Sequence, residues 1–385
     1  MKKKSYLKWF LFFSFVLALS NALIAYIQSS YLSRFMPEGI VGLMFIIAYV
    51  LSFLAINYFT SLINRLKIFL TGILIFASLS LSLLIYVFAQ NLISVLFAFF
   101  LYVVFLNLLW IMLDIYLEFF SKDAVTGRIR GIYWTMANMA WFVSPLITGF
   151  ILIRFDYSFL FLLGLLLVLF ILICFVFKFS GLEVNHFPKA HFFKTVKKVW
   201  QDKKLKGIFI ICFILQFFYS VMIIYTPLYL YAHAGLSWMQ IGVIFTAMLS
   251  TFVFMTYPAG YLADKKFGEK EILILGLMVM GVSTLAMAFK FSSNFWFWMM
   301  ILFMTRVGAS LVDIMRDTYF FKHIDFRNVE IINLFRNTTP MAYIVAPLLA
   351  SVILFFFNSY ALIFALTGIL VLSGIYFAFK LKDTL

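Results

Sequence analysis

Long apolar stretches recur along the whole chain, and short polar segments separate them. Each stretch holds about 20 residues, which is enough for a helix to cross a bilayer. We count twelve such spans, at residues 9–30, 40–63, 68–89, 92–120, 132–153, 157–179, 207–231, 238–263, 272–290, 295–321, 329–357 and 359–380. The pattern predicts an all-α membrane protein with twelve transmembrane helices.

One longer polar segment, 180–206, follows the sixth span. It predicts an N-terminal six-helix bundle at 1–179, a cytoplasmic linker at 180–206 and a C-terminal six-helix bundle at 207–385. The two halves resemble each other at an offset near 199 residues, which aligns Asp114 in span four with Asp313 in span ten. Parallel repeats of this kind are typical of secondary transporters, whose substrate site lies near the membrane midplane between the halves.

The linker itself contains a short amphipathic pattern. Apolar residues recur in it at helical spacing, namely Phe192, Phe193, Val196, Val199 and Trp200. Lysines occupy the opposite side, so 189–206 is expected to hold a helix that lies on the anionic lipid of the inner leaflet. The alternative is a solvated basic linker.

Composition and charge narrow the class of protein. Apolar residues make up 65% of the chain and charged residues 12%, which is too little charge to cover a soluble enzyme. The net charge of +15 does not indicate a nucleic-acid partner, because 24 of the 30 lysines and arginines lie at the termini and in alternate loops. Three lie in the intervening loops. This asymmetry predicts a multi-pass protein of the plasma (inner) membrane with both termini in the cytoplasm.

The sequence does not favour two other interpretations, namely a cleaved signal peptide and a site built on cysteine or histidine. Residues 1–30 have the basic start and apolar run of a signal peptide, but no convincing small-residue cleavage site follows, so we interpret them as the first span. Cys174 and Cys212 lie within apolar runs, and the four histidines show no ligand-like spacing. We therefore predict neither a cofactor nor a metal site, and no enzyme activity.

A glycine-containing polar loop follows span eight. Residues 260–270 read Gly-Tyr-Leu-Ala-Asp-Lys-Lys-Phe-Gly-Glu-Lys. This segment resembles the cytoplasmic loop motif of the major facilitator superfamily, with one extra residue before the second glycine. At the position after span two, where the motif of that family is usually strongest, 61–67 lacks the aspartate and both glycines. The resemblance covers nearly the whole chain and implies the major facilitator fold, with two pseudo-symmetric six-helix bundles.

The loop also suggests a gate. Gly260 is expected to let the end of span eight approach another helix closely, and Asp264 carries charge at the membrane edge. The family resemblance places the start of span five opposite this loop, and we predict that Asp264 latches the cytoplasmic side shut. The alternative is an ordinary acidic cap among lysines. The predicted gating residues here are Gly260, Asp264, Gly268, Arg128, Arg130 and Gly131.

Span five combines small residues with a proline. Its small positions include Ser144, Thr148 and Gly149 around Pro145, and span eleven has a looser copy around Pro347. The pattern resembles the fifth-helix motif of proton-coupled antiporters in the superfamily, which favours export. Small residues permit tight helix contact, and proline bends a helix. We therefore predict that spans five and eleven form a seam, the interface about which the two halves of the transporter rock. The alternative is ordinary small-residue packing.

Polar and charged residues recur within spans four and ten. They are Asn107, Asp114 and Glu118 in span four, and Arg306, Asp313 and Asp317 in span ten. The spacing of seven and four keeps each set on one helix face. A charge that faces lipid is costly, so we expect these side chains to face the protein interior or a water-filled cavity. Arg336 and Asn337 in span eleven are candidates to neutralise Asp313 or Asp317.

Each charge admits two roles. Arg306 is predicted to contact substrate or to control a coupling carboxylate, with a structural ion pair as the alternative. Asp114 and Asp313 are candidates for protonation coupled to transport, because a desolvated carboxyl group binds a proton more readily; gate salt bridges remain equally open. Glu118 and Asp317 are predicted gate charges. The antiporter pattern of the family has an arginine in span four, where this chain has Asn107.

Further polar residues lie in spans one and seven, which the family resemblance places around the central path together with spans four and ten. They are Asn21 and Gln28 in span one and Gln216, Tyr219 and Tyr225 in span seven. We expect them to bind a polar group of the substrate, the alternative being hydrogen bonds between helices.

The leading prediction is a secondary transporter that works as a monomer by alternating access. The sequence contains no Walker-type phosphate loop, so we do not expect ATP hydrolysis by this chain to power transport. Alternatives from other classes are a lipid-modifying enzyme and a sensor without flux. Among transporters, export of a small amphipathic compound in exchange for protons leads, and proton-linked uptake of a sugar or nucleoside is the alternative.

Overall fold

The computed structural model describes residues 2–120, 126–180, 192–263, 268–289, 294–324 and 329–381. Within these ranges the chain is predominantly helical and contains no strand. The predicted all-α class is therefore confirmed.

Seven helices form the first half of the described chain. They are α1 (Lys2–Ala25), α2 (Gln28–Leu32), α3 (Glu38–Leu66), α4 (Ile68–Phe88), α5 (Leu92–Phe120), α6 (Thr126–Arg154) and α7 (Tyr157–Phe179). Predicted span one is thus two helices, because α1 ends at Ala25 and α2 follows after a short turn. Pro37 precedes α3, and Lys67, with a φ of 65°, ends α3 immediately before α4 begins.

Eight α-helices follow in the second half of the described chain. They are α8 (Phe192–Gln201), α9 (Lys203–Leu228), α10 (Trp238–Phe254), α11 (Thr256–Leu262), α12 (Gly268–Ala286), α13 (Phe295–His323), α14 (Val329–Phe357) and α15 (Tyr360–Phe379). A π-helical turn, Tyr229–His233, continues directly from α9. Ser237 and Gln240 start α10 with a reciprocal capping box.

The predicted spans all correspond to helices in the described chain. Ten of these helices are long and apolar enough to cross a membrane on length and composition, among the residues searched. The eighth span is broken at Met255, because Pro258 has no N–H to donate to the carbonyl of Phe254. The ninth span is α12, whose first turn contains the charged residues Glu269 and Glu271.

The chain divides into two compact units. The first comprises Met1–Pro37 and Ile47–Lys189, and the second comprises Glu38–Ile46 and Ala190–Leu385. The boundary after residue 189 falls within the polar segment that follows the sixth span. The first turns of α3 group with the second unit, which the sequence did not indicate.

Helix pairing inside each unit follows one plan. In the first unit α1 packs against α6 and α7, and α4 packs against α5 and α7. In the second unit α9 packs against α14 and α15, and α12 packs against α13 and α15. Each of these pairs in one unit has its counterpart in the other, as expected for a repeated bundle.

Glycines bring three helix backbones of the second unit together. A Cβ at Gly308 of α13 would lie 2.4 Å from the amide nitrogen of Met280 and 2.6 Å from the carbonyl oxygen of Gly276, both on α12. A Cβ at Gly368 of α15 would lie 2.8 Å from the amide nitrogen of Leu285. Because only glycine permits this approach, these positions fix how α13 and α15 dock on α12.

The polar segment after α7 contains the predicted helix, α8. It packs against α9 and α14, and Thr195 and Val199 are buried. Lys197, Lys198 and Trp200 are exposed. The structure thus shows a helix in this segment, and its contact with lipid stays a prediction.

Candidate functional site

A cluster of three charged side chains lies on α13, within the part of the helix that is apolar enough to cross a membrane. The Nη2 atom of Arg316 donates to the Oδ1 atoms of Asp313 and Asp317, each at 2.7 Å. The Nε atom of Arg316 donates to the same oxygen of Asp317 at 2.9 Å. Two carboxylates therefore share one guanidinium, and the three side chains carry one net negative charge when both carboxyl groups are ionised.

Residues of α9 and α14 enclose the guanidinium of Arg316. Its Nη1 atom lies 3.6 Å from the Sγ atom of Cys212, which itself lies 3.1 Å from the hydroxyl of Thr338. The Arg316 side chain is 7% exposed, whereas those of Asp313 and Asp317 are 34% and 43% exposed. The arginine is thus buried in the protein interior, whereas both carboxyl groups are partly exposed.

The same helix carries a second buried arginine, Arg306, with a different environment. Its guanidinium carbon lies 5.2 Å from the ring centre of Phe218 and 5.4 Å from that of Tyr219, both on α9. Its backbone carbonyl accepts a hydrogen bond from Thr251 of α10 at 3.2 Å. The structure therefore places Arg306 in the interior of the second unit, and its contact with substrate stays a prediction.

In the first unit, two of the predicted cavity residues bond to protein groups. The amide of Asn107 donates to the carbonyl of Val103 at 2.8 Å and to Ser52 at 3.4 Å. Asn21 accepts from the hydroxyl of Tyr102 at 3.5 Å. These contacts fit the alternative in which polar residues hold helices together.

The remaining candidates of the first unit are Gln28 and Asp114. Gln28 is buried in α2, and Asp114 is half-buried in α5. Both side chains thus lie at least partly inside the first unit, and their roles stay predictions.

Tyr225 and Pro347 meet in the second unit. The Tyr225 hydroxyl donates to the Pro347 carbonyl at 3.3 Å, which joins α9 to α14. A Cβ at Gly42 of α3 would lie 2.2 Å from this hydroxyl and from that of Ser351. Tyr225 is therefore committed to a helix contact. Gln216, also on α9, is half-buried.

The glycines of the predicted gate differ in their surroundings. A Cβ added at Gly260 would meet no described atom within 4 Å, so the close helix approach expected there is not seen in the described part of the chain. Gly260 lies on α11, the short helix that follows the break at Met255. Gly268 has a φ of 78°, a conformation that favours glycine, where α12 begins.

The surroundings of several other predicted gating residues lie outside the described part of the chain. Asp264 lies outside the described residues. Glu118 belongs to α5, and Arg128, Arg130 and Gly131 belong to α6, but their side chains and surroundings are also outside the description. Their gating roles stay predictions.

One proline, one glycine and one arginine complete the predicted gate and seam. Pro145 and Gly149 lie within α6, where the hydroxyl of Ser144 donates to the carbonyl of Trp141 at 3.3 Å. This is the carbonyl that Pro145 leaves without its usual helical partner. Arg336 is half-buried on α14. The structure thus places these residues without testing their roles.

Sequence reasoning missed the guanidinium that Asp313 and Asp317 share. It proposed Arg336 and Asn337 as partners and did not consider Arg316, which lies between the two aspartates on the same helix. The signal was present, because residues three positions apart on a helix are neighbours.

It also missed a cluster in the second unit. The Nε2 atom of His233, in the π-helical turn, lies 3.0 Å from the carboxylate of Glu38, which also accepts from the hydroxyl of Tyr360. These residues are far apart in sequence, so spacing offered no signal. Among the residues searched, no group of three or more histidine, cysteine, aspartate or glutamate side chains is placed to hold a metal ion.

Comparisons with known proteins agree with this architecture. The family model of the Major Facilitator Superfamily matches residues 9–265 and 235–384. A crystal structure of a bacterial homologue of the human lysosomal transporter Spinster, inward-facing and unoccupied, is similar with a TM-score of 0.75. The similarity covers 98% of this chain and 96% of the other at 11% identity, so it shows the fold alone. No curated protein sequence matches the chain.

Proposed function

Because this chain belongs to the Major Facilitator Superfamily, we propose that it exports a small amphipathic solute in exchange for protons, by alternating access. The family match and the fold support a secondary transporter with a small-molecule substrate, and they confirm the resemblance drawn from residues 260–270. The proton coupling, the export direction and the amphipathic class of substrate are our proposal.

The observation that carries the proton coupling is the cluster of Asp313, Arg316 and Asp317. With both carboxyl groups ionised, these three side chains keep one net negative charge inside a membrane-spanning helix, which is costly. Binding one proton removes that charge, and the partial exposure of both carboxyl groups opens a route for the proton. Occupancy by a proton therefore changes the charge of a site on α13, as a coupling site requires.

The proposed export direction is based on the two helices α6 and α14, which contain prolines. Pro145 lies within α6, and Pro340 and Pro347 lie within α14, so each helix has carbonyls released from their normal hydrogen bonds. This feature supports the similarity of span five to the helix motif of proton-coupled antiporters. Asp114 on α5 is proposed as the counterpart of Asp313 in the first unit.

For the gate, we keep the proposal that Asp264 latches the cytoplasmic side shut, with the start of span five, near Arg128 and Arg130, as its expected partner. Replacement of Asp264 by asparagine is expected to change the transport rate and the balance between inward- and outward-open states. Unchanged values for both quantities would refute the latch.

The chain is a multi-pass membrane protein, and we place it in the plasma membrane with both termini in the cytoplasm. The distribution of lysine and arginine supports this orientation. The exposed Lys197 and Lys198 of α8 suit the anionic lipid of the inner leaflet. The proposed functional unit is a monomer.

The test is flux of a panel of labelled amphipathic compounds, sugars and nucleosides in proteoliposomes, with a pH gradient imposed in either direction. Reversing the gradient is expected to reverse net flux of the exported compound. Asp313→Asn is expected to abolish the dependence on the gradient. Glu271→Gln, which alters an exposed carboxylate on α12, is the matched control and leaves it intact.

Two outcomes would contradict the proposal separately. Flux that ignores the gradient in the wild type would remove proton coupling and leave a transporter. Absence of protein-dependent flux for every compound would remove transport itself.

A further inference from the structure

Arg306 is held rigidly in the middle of α13. The residue is 2% exposed, and Phe218 and Tyr219 of α9 lie against its guanidinium. The hydrogen bond from Thr251 to the Arg306 carbonyl fixes the helix at this level against α10. Packing thus defines the position of the guanidinium, and no described acidic side chain pairs with it.

Arg306 and Arg316 differ in how their charge is balanced. Arg316 is shared by two carboxylates, whereas the Nε and Nη1 atoms of Arg306 are buried without a hydrogen-bond partner among the described residues. Asp313, the closest acidic residue along α13, is seven positions away, or about 10 Å along the helix axis. Its carboxylate is already engaged by Arg316. Buried donors of this kind are costly unless a ligand satisfies them.

We propose that Arg306 is the recognition site for an organic oxyanion, so that the solute is a small monoanion with an apolar body. This inference rests on the proposed transport function. A guanidinium offers parallel N–H donors that match the oxygens of a carboxylate, sulfonate or phosphate. The rings of Phe218 and Tyr219 stabilise the cation through their faces and offer apolar surface beside it.

A monoanionic solute also sets the direction of the exchange. Outward movement of an anion and inward movement of a proton both carry positive charge inward, so an inside-negative membrane potential drives the cycle towards export. Exchange of a monocation for a proton would be indifferent to the potential. The charge of the solute is therefore visible in the voltage dependence of flux.

Binding to the full-length protein in non-ionic detergent tests the inference with four benzene derivatives. Benzoate and benzenesulfonate are the anions, benzyl alcohol is neutral, and benzyltrimethylammonium is the cation. The wild type is expected to prefer both anions, and Arg306→Gln to weaken their binding about tenfold or more while leaving benzyl alcohol unchanged. Arg306→Lys, which keeps the charge, is expected to retain part of the preference. Added phosphatidylglycerol should not displace benzenesulfonate, since displacement would assign the site to a lipid headgroup.

Thermal unfolding separates this role from a structural ion pair. Arg306→Gln removes a buried charge that has no described acidic partner, so its unfolding midpoint is expected to equal or exceed that of the wild type. Arg316→Gln breaks an ion-pair network and is expected to lower the midpoint. A loss in Arg306→Gln as large as in Arg316→Gln would overturn the inference, and so would the absence of any anion preference in the wild type.

Failure of this inference and failure of the proposed function lead to different results. If proton-dependent flux of a neutral or cationic compound persisted in Arg306→Gln, the proposed transport function would stand and the anion site would be refuted. Anion binding that depends on Arg306, without flux of any compound, would leave the site and remove transport.

Discussion

Gly308→Ala tests how α13, the helix that carries both arginine sites, is held in the second unit. The added Cβ would lie 2.4 Å from the amide nitrogen of Met280, 2.8 Å from its Cα and 2.6 Å from the carbonyl oxygen of Gly276. Ordinary contacts begin near 3.4 Å, so α12 and α13 must separate locally by about 1 Å. All three atoms belong to the backbone, and no rotamer change relieves the contact.

The expected cost of this overpacking is about 1–3 kcal/mol, less the gain of up to about 1 kcal/mol that alanine brings to a helix interior. For a chain of 385 residues, a net loss near 1–2 kcal/mol corresponds to a thermal midpoint lower by about 1–3 °C. The assay is thermal unfolding of the purified protein in detergent.

Gly39→Ala is the matched control, because the nearest described atom to its added Cβ is the Cβ of Leu354 at 3.9 Å, an ordinary contact. Its midpoint is expected to equal or exceed that of the wild type, since alanine is the better helix former. Equal midpoints for the two alanine variants would refute the argument that backbone contact at Gly308 fixes α13 on α12.

Three further predictions concern other contacts in the second unit, and thermal unfolding checks each of them. Arg316→Gln is expected to lower the free energy of unfolding by about 1–3 kcal/mol. This loss is smaller than for a fully buried ion pair because Asp313 and Asp317 are partly exposed. An unchanged midpoint would show that the network contributes nothing to stability. Gly42→Ala places a Cβ 3.2 Å from the Pro347 carbonyl as well as against two hydroxyls, and is expected to cost about 1–2 kcal/mol. If Gly39→Ala lowered the midpoint as much, a specific contact at Gly42 would be excluded. Lys322 of α13 pairs with buried Glu269 of α12, so Lys322→Met is expected to destabilise more than Glu269→Gln, which leaves a half-exposed lysine; the reverse order would contradict the burial of Glu269.

The positions of the apolar helices could be predicted because the thickness of the bilayer sets the length of an apolar span. The interior position of Arg306 follows from similar local reasoning, since a charge in contact with lipid is costly. These inferences need only local composition and helix periodicity. They hold without knowledge of which helices touch.

The omissions arise where contacts between distant residues decide the outcome. Glu38, His233 and Tyr360 come together only after their helices have packed, so no spacing reveals the cluster. A close contact was expected at Gly260 because small residues often mark one, whereas the structure shows a close backbone approach at Gly308, which the sequence did not single out. A glycine in the sequence does not show whether another helix packs against it, because that depends on residues that are distant along the chain.

The central claim is that a proton bound near Asp313 moves against the solute. The most direct measurement uses proteoliposomes that contain a pH-sensitive dye, with the membrane potential clamped by potassium and valinomycin. The internal pH is recorded when the fastest-moving panel compound is added outside. The account predicts that the internal pH rises in the wild type and in Glu271→Gln, as protons leave in exchange for solute, and that Asp313→Asn shows no such rise. A constant or falling internal pH in the wild type, or an undiminished rise in Asp313→Asn, would contradict it.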